Sequence, residues 1–173
     1  MKLLFKTFHE PSNNHKMIDV GSNKQNGSNI LNRSILLVDD EPQTLDLLRL
    51  MLKRDGYDVY EADGGKVALE KVKNLQPDLV LLDVMMPDID GIEVCEDIRA
   101  NHETADIPVV MLSARTYQAA VEKGILAGAT RYLAKPISRA DLLRHVREVL
   151  DGVPSMEVQS IRRNLVARGI TAS

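Results

Sequence analysis

The sequence has little of what small secreted domains and membrane proteins rely on. It contains one cysteine, Cys95, which excludes an intramolecular disulfide and a cysteine-cluster metal site and suits a reducing compartment. No apolar run approaches the roughly 20 residues needed to cross a bilayer, and the apolar run near the start is too short for a signal peptide. Aromatic residues make up only 3% of the chain, so the core must consist of Leu, Val, Ile and Ala. We therefore expect a cytoplasmic α/β protein with no membrane segment.

Length and charge distribution limit the organisation of the chain. A length of 173 residues allows one domain with appended sequence and is too short for two domains of ordinary size. Residues 1–33 contain five Lys or Arg against two acids, and residues 152–173 contain three arginines against one glutamate. Residues 34–151 contain 14 basic and 22 acidic residues, a net charge of −8. Because nucleic-acid binding depends on neutralising phosphates with Lys and Arg, we expect no direct DNA binding by this acidic body.

The N-terminal segment, residues 1–33, shows no hydrophobic period. Its stretch 21–29 is polar and low in complexity and gives folding nothing to bury, so we expect a disordered extension. Met17 lies within this segment, and translation from that methionine is an open alternative for residues 1–16.

From Ser34 onward, five short apolar runs alternate with five helical patterns. Most of these runs lack polar alternation, which is typical of strands covered on both faces of a parallel sheet. The predicted strands cover residues 35–38, 57–61, 79–82, 107–112 and 131–134. The first predicted helix, around residues 45–52, is closed by Gly56, and the others cover residues 64–75, 91–100, 116–126 and 138–150. This order predicts a doubly wound parallel sheet with helices on both faces and right-handed crossovers.

The spacing of apolar residues identifies the core faces of the predicted helices. Cys95 shares a helical face with Ile92 and Ile98, so we interpret it as a core residue rather than a reactive thiol. The apolar positions of the first two helices are Leu45, Leu47, Leu48, Met51 and Leu52, followed by Val67, Ala68, Val72 and Leu75.

Polar side chains stand where four of the predicted strands end. They are Asp39 and Asp40 after the first strand, Asp83 after the third, Ser113 after the fourth and Lys135 after the fifth. Each alone is an ordinary loop or capping residue, but the ends of parallel strands meet at one edge of the sheet. Three converging carboxylates form an oxygen-rich site for a hard divalent cation such as Mg²⁺. With the metal in place, Asp83 can attack a phosphoryl group to give an acyl phosphate, while Ser113 and Lys135 hold phosphoryl oxygens.

Four segments of the chain resemble the receiver domains of two-component response regulators. They are residues 35–42 (ILLVDDEP), 78–91 (DLVLLDVMMPDIDG), 109–114 (VVMLSA) and 128–136 (GATRYLAKP). The resemblance covers roughly residues 34–151. It implies a flavodoxin-like fold with a five-stranded parallel sheet of order 2-1-3-4-5 and five helices.

The resemblance also implies roles for the acidic residues. Asp83 corresponds to the phosphoacceptor, and Asp39 and Asp40 correspond to ligands of Mg²⁺. The main-chain carbonyl of Met85 is a further implied ligand. The implied phosphoryl donor is a sensor histidine kinase or a phosphotransfer protein, and we expect slow self-dephosphorylation rather than catalytic turnover.

Three further residues match the family's switching parts. Ser113 and Tyr132 resemble its switch pair, in which the hydroxyl moves towards the phosphoryl group and the aromatic ring turns inward. Lys135 corresponds to the partner of the acceptor and its phosphate, and its bond to Pro136 resembles the family's cis peptide. Phosphorylation is then expected to act on the face formed by the fourth helix, fifth strand and fifth helix.

The tail, residues 152–173, predicts one short helix after Pro154 and Ser155. Its apolar face comprises Val158, Ile161 and Leu165, and Gly169 ends it. An isolated helix of this length is marginal in water, so it either docks on the receiver, mediates dimer or partner contacts, or frays. Since this tail has no room for a helix-turn-helix, we expect a stand-alone regulator that signals by protein contact, as a monomer or a phosphorylation-dependent homodimer.

Two other functions stay open at this point. A small-molecule phosphotransferase of the haloacid dehalogenase type would need a second aspartate two residues after Asp83, where Met85 stands. Phosphorylation-controlled transcription, through a partner or through the basic tail, is the other alternative.

Overall fold

A computed structural model of the protein describes residues 33–171, which form five strands and six helices. The strands are β1 (Ser34–Val38), β2 (Asp58–Ala62), β3 (Leu79–Asp83), β4 (Val109–Ser113) and β5 (Arg131–Ala134). The helices are α1 (Pro42–Lys53), α2 (Gly65–Leu75), α3 (Gly91–Ala100), α4 (Gln118–Leu126), α5 (Arg139–Leu150) and α6 (Met156–Ala167). The expected disordered extension lies outside the described residues, apart from Arg33.

All five strands are parallel, in the order β2-β1-β3-β4-β5. The predicted flavodoxin-like architecture is therefore confirmed. β3 lies in the middle, where Val80 pairs with Leu36 on one side and with Val109 on the other. All five residues of β3 are buried, as expected for a strand covered on both faces.

The sheet separates two apolar layers, because successive side chains of a strand point to opposite faces. One layer joins alternate strand residues to α1 and α5, and includes Ile35, Leu37, Leu79, Leu81, Leu48 and Leu142. The other layer joins the intervening residues to α2, α3 and α4, and includes Leu36, Val38, Val80, Leu82, Val72, Ile98 and Ile125. Cys95 belongs to this second layer, fully buried, and its thiol lies 3.3 Å from the carbonyl oxygen of Ala127, so its interpretation as a core residue is confirmed.

Several predicted boundaries differ from the structure by one or two residues, and three of these differences have a clear physical reason. β2 begins after Tyr57, because the Tyr57 amide still bonds to the carbonyl of Leu52 at the end of α1. β4 begins after Pro108, which has no N–H to donate to a neighbouring strand. α4 begins at Gln118 rather than Thr116, because Tyr117 has the extended conformation of an N-cap.

Two residues assigned to the core faces are exposed. Leu47 of α1 is 54% exposed, and Leu75 at the end of α2 is 39% exposed. Helical spacing predicts both of them on the buried side, but the buried faces of the helices are narrower than that. The buried residues are Leu45, Leu48 and Leu52 in α1, and Gly65, Ala68 and Val72 in α2.

The sixth helix lies in the tail, where the sequence predicts one short helix beyond the five of the receiver fold. α6 begins after Ser155, whose Oγ accepts a hydrogen bond from the Val158 amide at 3.2 Å. It docks against α4, with Val158 and Leu165 buried, so of the three alternatives for the tail the structure shows docking. Across residues 33–171, no helix is both long and apolar enough to span a membrane.

Candidate functional site

The ends of β1, β3 and β5 bring three charged side chains into contact. The ammonium nitrogen of Lys135 lies 2.6 Å from Asp39 Oδ2 and 2.6 Å from Asp83 Oδ1. Asp39 is 3% exposed and Asp83 is 5% exposed, whereas Lys135 remains partly open to solvent. The peptide bond between Lys135 and Pro136 is cis, as the resemblance implies. These three residues therefore meet at one edge of the sheet, as their positions in the sequence predict.

The second oxygen of Asp83 is fixed by the loop that follows it. Asp83 Oδ2 accepts a hydrogen bond from the Met85 amide at 2.9 Å, and the Gly91 amide donates to the Val84 carbonyl at 2.9 Å. A Cβ atom on Gly91 would lie only 2.1 Å from the Asp83 carbonyl oxygen. Only glycine fits at this point, so the start of α3 holds the Asp83 loop tightly.

The electrostatics of the site are unbalanced, because two buried carboxylates share one ammonium group. Burial raises the pKa of Asp83, and the nearby charge of Asp39 adds to that effect, although Lys135 opposes it. Burial by itself lowers the pKa of Lys135, but hydrogen bonds to Asp39 and Asp83 outweigh it and the pKa is raised. A further cation at this edge would relieve the remaining negative charge.

The donor set fits a hard divalent cation in its chemistry. Carboxylates of Asp39 and Asp83, the adjacent exposed Asp40 and the main chain of Met85 offer oxygen ligands, which Mg²⁺ prefers. The ammonium group of Lys135 lies between the two buried carboxylates. Within residues 33–171, no group of three acidic, histidine or cysteine side chains is arranged to bind a metal ion. Asp40 differs from Asp39 and Asp83 in that its side chain is exposed.

The predicted switch pair meets at the main chain of Arg115. The buried Ser113 Oγ accepts a hydrogen bond from the Arg115 amide at 3.0 Å. The Tyr132 hydroxyl donates to the Arg115 carbonyl at 2.7 Å. Both side chains therefore hold the same residue of the loop after β4, a link that the sequence did not reveal.

Comparison with known proteins decides the family. Residues 35–147 match the family model described as the response regulator receiver domain. The chain belongs to this family. Receivers of this family work in two-component systems as phosphoacceptor signalling domains, and they generally bind Mg²⁺ at the acidic pocket.

Individual relatives agree with this assignment. The chain is 38% identical over 134 residues to the alkaline phosphatase synthesis transcriptional regulatory protein PhoP of Bacillus subtilis (strain 168). That match covers 75% of this chain but 55% of PhoP, so the chain spans about half the length of this relative.

Two solved structures are similar over most of their own length. A putative response regulator from Chloroflexus aurantiacus J-10-fl has a TM-score of 0.66 and 35% identity, over 69% of this chain and 98% of that chain. The chemotaxis protein CheY4 of Vibrio cholerae has a TM-score of 0.65 and 30% identity, over 67% of this chain and 97% of that chain.

The receiver also contains a supporting residue, Asp88, that sequence reasoning missed. Its carboxylate accepts hydrogen bonds at 3.0 Å from the amides of Gly65 and Lys66, at the start of α2. These bonds lower the pKa of Asp88 to about 2. The only available signal was indirect: Gly64, at the N-cap of α2, has no side chain to cap the helix itself. Asp88 thus ties the loop after the acceptor to the neighbouring helix.

Proposed function

We propose that Asp83 accepts a phosphoryl group from a sensor histidine kinase or a phosphotransfer protein. The observation that supports this most strongly is a buried carboxylate at the end of the central strand, paired at 2.6 Å with Lys135 beside a second buried carboxylate. In the reaction, an oxygen of Asp83 forms a bond to phosphorus while the bond from phosphorus to the donor nitrogen breaks.

Each neighbouring residue has a distinct proposed role in this transfer. Lys135, already within 2.6 Å of Asp83, would pair with the charge on the phosphoryl oxygens. Ser113 Oγ accepts a bond from Arg115, so its own proton is available to a phosphoryl oxygen. Tyr132 would change position when Ser113 moves, because both side chains bond to the main chain of Arg115.

When bound, Mg²⁺ would neutralise part of the negative charge on the phosphoryl group. Asp39, Asp40, Asp83 and the main-chain carbonyl of Met85 would hold it. The domain that carries this chemistry is proposed to span residues 34–151, with slow self-dephosphorylation resetting the acceptor.

The test is labelling of the full chain with radioactive acetyl phosphate in the presence of Mg²⁺. The wild type should take up label that is released by hydroxylamine, the behaviour of an acyl phosphate, and Asp83→Asn should take up none. Asp97→Asn, which changes an exposed aspartate of α3, is the matched control and should label like the wild type. Unchanged labelling of Asp83→Asn would refute the assignment.

Control of transcription is a second candidate, because the relative PhoP is a transcriptional regulatory protein by name. The charge of −8 over residues 34–151 argues for action through a partner rather than by direct contact with DNA. A mobility shift of duplex DNA by the acetyl-phosphate-treated chain alone would support direct binding; no shift by the chain alone is the outcome we expect.

A further inference from the structure

α6 lies on the part of the receiver where phosphorylation is expected to act. We call the surface formed by α4, β5 and α5 the signalling face. α6 packs against α4 through an apolar stripe in which Val158 is 8% exposed and Leu165 is 2% exposed. Ile161 lies between them and packs against the same layer of the core. The spacing of these three residues places them on one side of the helix.

Polar contacts fix α6 at both ends. Arg168, just after the helix, donates from Nη1 to both carboxylate oxygens of Glu122 in α4, at 2.8 and 3.0 Å. At the other end, the buried Arg131 of β5 donates from Nη2 to the Val153 carbonyl at 3.0 Å, in the segment that leads into α6. α6 is therefore clamped to α4 and to the edge strand, and covers the groove between them.

The switch tyrosine lies beneath this cover. Tyr132 lines a cavity of about 30 Å³, together with Val121 of α4, His145 of α5, and Val158 and Ile161 of α6. That volume holds a water molecule or two but no aromatic ring. On its other side the ring is tight against α4, since a Cβ atom on Gly124 would lie 2.7 Å from Tyr132 Cδ2. A turn of the Tyr132 ring into this cavity would therefore push against α4 or α6.

A continuous set of contacts links this ring to the acceptor edge. Ser113 Oγ accepts from the Arg115 amide, and the Tyr132 hydroxyl donates to the Arg115 carbonyl. If Ser113 turns towards a phosphoryl group on Asp83, it leaves the Arg115 amide. The loop that anchors Tyr132 is then released from one of its two side-chain contacts.

We propose that α6 is a displaceable cover of the signalling face, and that phosphorylation of Asp83 loosens it through Ser113, Arg115 and Tyr132. This inference rests on the proposed function, because it needs Asp83 as the acceptor. Unphosphorylated, the chain keeps the face closed with its own helix; phosphorylated, it offers the face to a partner. The two states differ in the docking of α6, and the coupling must act in both directions.

Hydrogen exchange on the full chain tests the forward direction. The chain is compared in Mg²⁺ with and without beryllofluoride, a stable mimic of the phosphoryl group. We expect the α6 amides, residues 156–167, to exchange about fivefold faster or more with the mimic, the lower end of ordinary allosteric coupling. Asp83→Asn should show no change in α6 on addition of the mimic.

A charge reversal tests the reverse direction. Arg168→Glu breaks the clamp to Glu122, so beryllofluoride should bind this variant about fivefold more tightly than the wild type. Adding Glu122→Arg in the same chain restores an opposite-charge pair and should return the affinity towards the wild-type value. Arg163→Glu, an exposed arginine of the same helix, is the matched control and should change little.

The outcomes separate the two proposals. If Asp83 takes no label and the mimic protects no amides at residues 83–91, the proposed function fails. If Asp83 is labelled but α6 exchanges no faster with the mimic, or if Arg168→Glu leaves the affinity for the mimic unchanged, the inference about α6 is overturned and the proposed function stands.

Discussion

Among single residues, Gly91 constrains the acceptor loop most directly. A methyl group here would press on the Asp83 carbonyl at 2.1 Å and on Val84 Cα at 2.9 Å. We expect Gly91→Ala to lower the free energy of unfolding by about 1–3 kcal/mol, the usual cost of overpacking, and to slow labelling of Asp83. Urea unfolding and acetyl phosphate labelling measure the two effects. A variant with unchanged stability and labelling would show that the loop can shift without cost.

Asp88 should make stability depend on pH in acid. Its carboxylate caps α2 through Gly65 and Lys66, and Asp88→Ala should cost about 0.5–2 kcal/mol at neutral pH, as for other lost caps. Because the folded pKa of Asp88, about 2, lies below the ordinary value of 3.8, the stabilisation by the carboxylate is present above pH 3.8. That contribution is lost as the pH falls from 3.8 towards 2.

Urea unfolding of the wild type and of Asp88→Ala at several pH values measures this effect. The difference between the two proteins should shrink across the window from pH 3.8 to pH 2. Asp58→Ala, which changes an exposed aspartate of β2, is the control. A constant difference down to the lowest pH would contradict the capping role.

For single residues, the sequence predicts which side chains meet at the ends of the strands, but it does not predict the contacts that loop residues make. Asp39, Asp83 and Lys135 each follow an apolar strand, and parallel strands end at one edge of the sheet. Their positions in the sequence were therefore enough to predict the contacts that the structure shows. Asp88 binds amides 22 and 23 residues away in sequence, and no local pattern marks such a contact. The bonds of Ser113 and Tyr132 to Arg115 go to main-chain atoms, whose positions depend on the loop conformation rather than on the identity of the residue.

Among the secondary-structure elements, α6 has an N-terminal cap, the side chain of Ser155, that a single substitution can remove. Ser155 Oγ accepts from the Val158 amide, so Ser155→Ala should weaken the first turn by about 0.5–2 kcal/mol. Hydrogen exchange of α6 amides should then speed up, while exchange in β3 stays as in the wild type. Ser160→Ala is a matched control inside the same helix, where alanine favours the helix and exchange should not speed up. Equal effects of the two substitutions would contradict the cap.

Elements with a strong hydrophobic period were predictable, and the tertiary position of α6 was not. The alternation of strands and helices predicts a doubly wound parallel sheet, and the resemblance to receiver domains implies the strand order. The predicted boundaries are wrong at positions such as Pro108 and Tyr117, where a main-chain group decides the end of the element. α6 has the period of an amphipathic helix, but its docking site on α4 exists only in the folded domain. The sequence alone therefore left three outcomes open for the tail helix: docking on the receiver, dimer or partner contact, and fraying.

At the scale of the whole molecule, binding at the acidic edge should stabilise the fold. Asp39 and Asp83 are buried with one ammonium group between them, so a cation and a phosphoryl mimic should bind the native state and not the unfolded chain. We expect Mg²⁺ with beryllofluoride at about 100 times its dissociation constant to add about 2.7 kcal/mol. Thermal unfolding measures this as a higher Tm.

Removing the metal should remove the effect of the mimic. With excess chelator the Tm should return to that of the untreated protein, and Asp83→Asn should show no rise with the mimic at all. A rise that persists in chelator would mean that beryllofluoride binds elsewhere on the chain.

The sheet divides the hydrophobic core of the receiver into two separate apolar layers. Leu81 and Leu82 are neighbours in β3, yet one packs with α1 and α5 and the other with α2, α3 and α4. Substitutions on opposite sides share no side-chain partners, so their costs should add. Val158 brings α6 into the second layer only. Substitutions that tighten or loosen the docking of α6 are thus expected to alter the packing on one side of the sheet and to leave the layer of α1 and α5 unchanged.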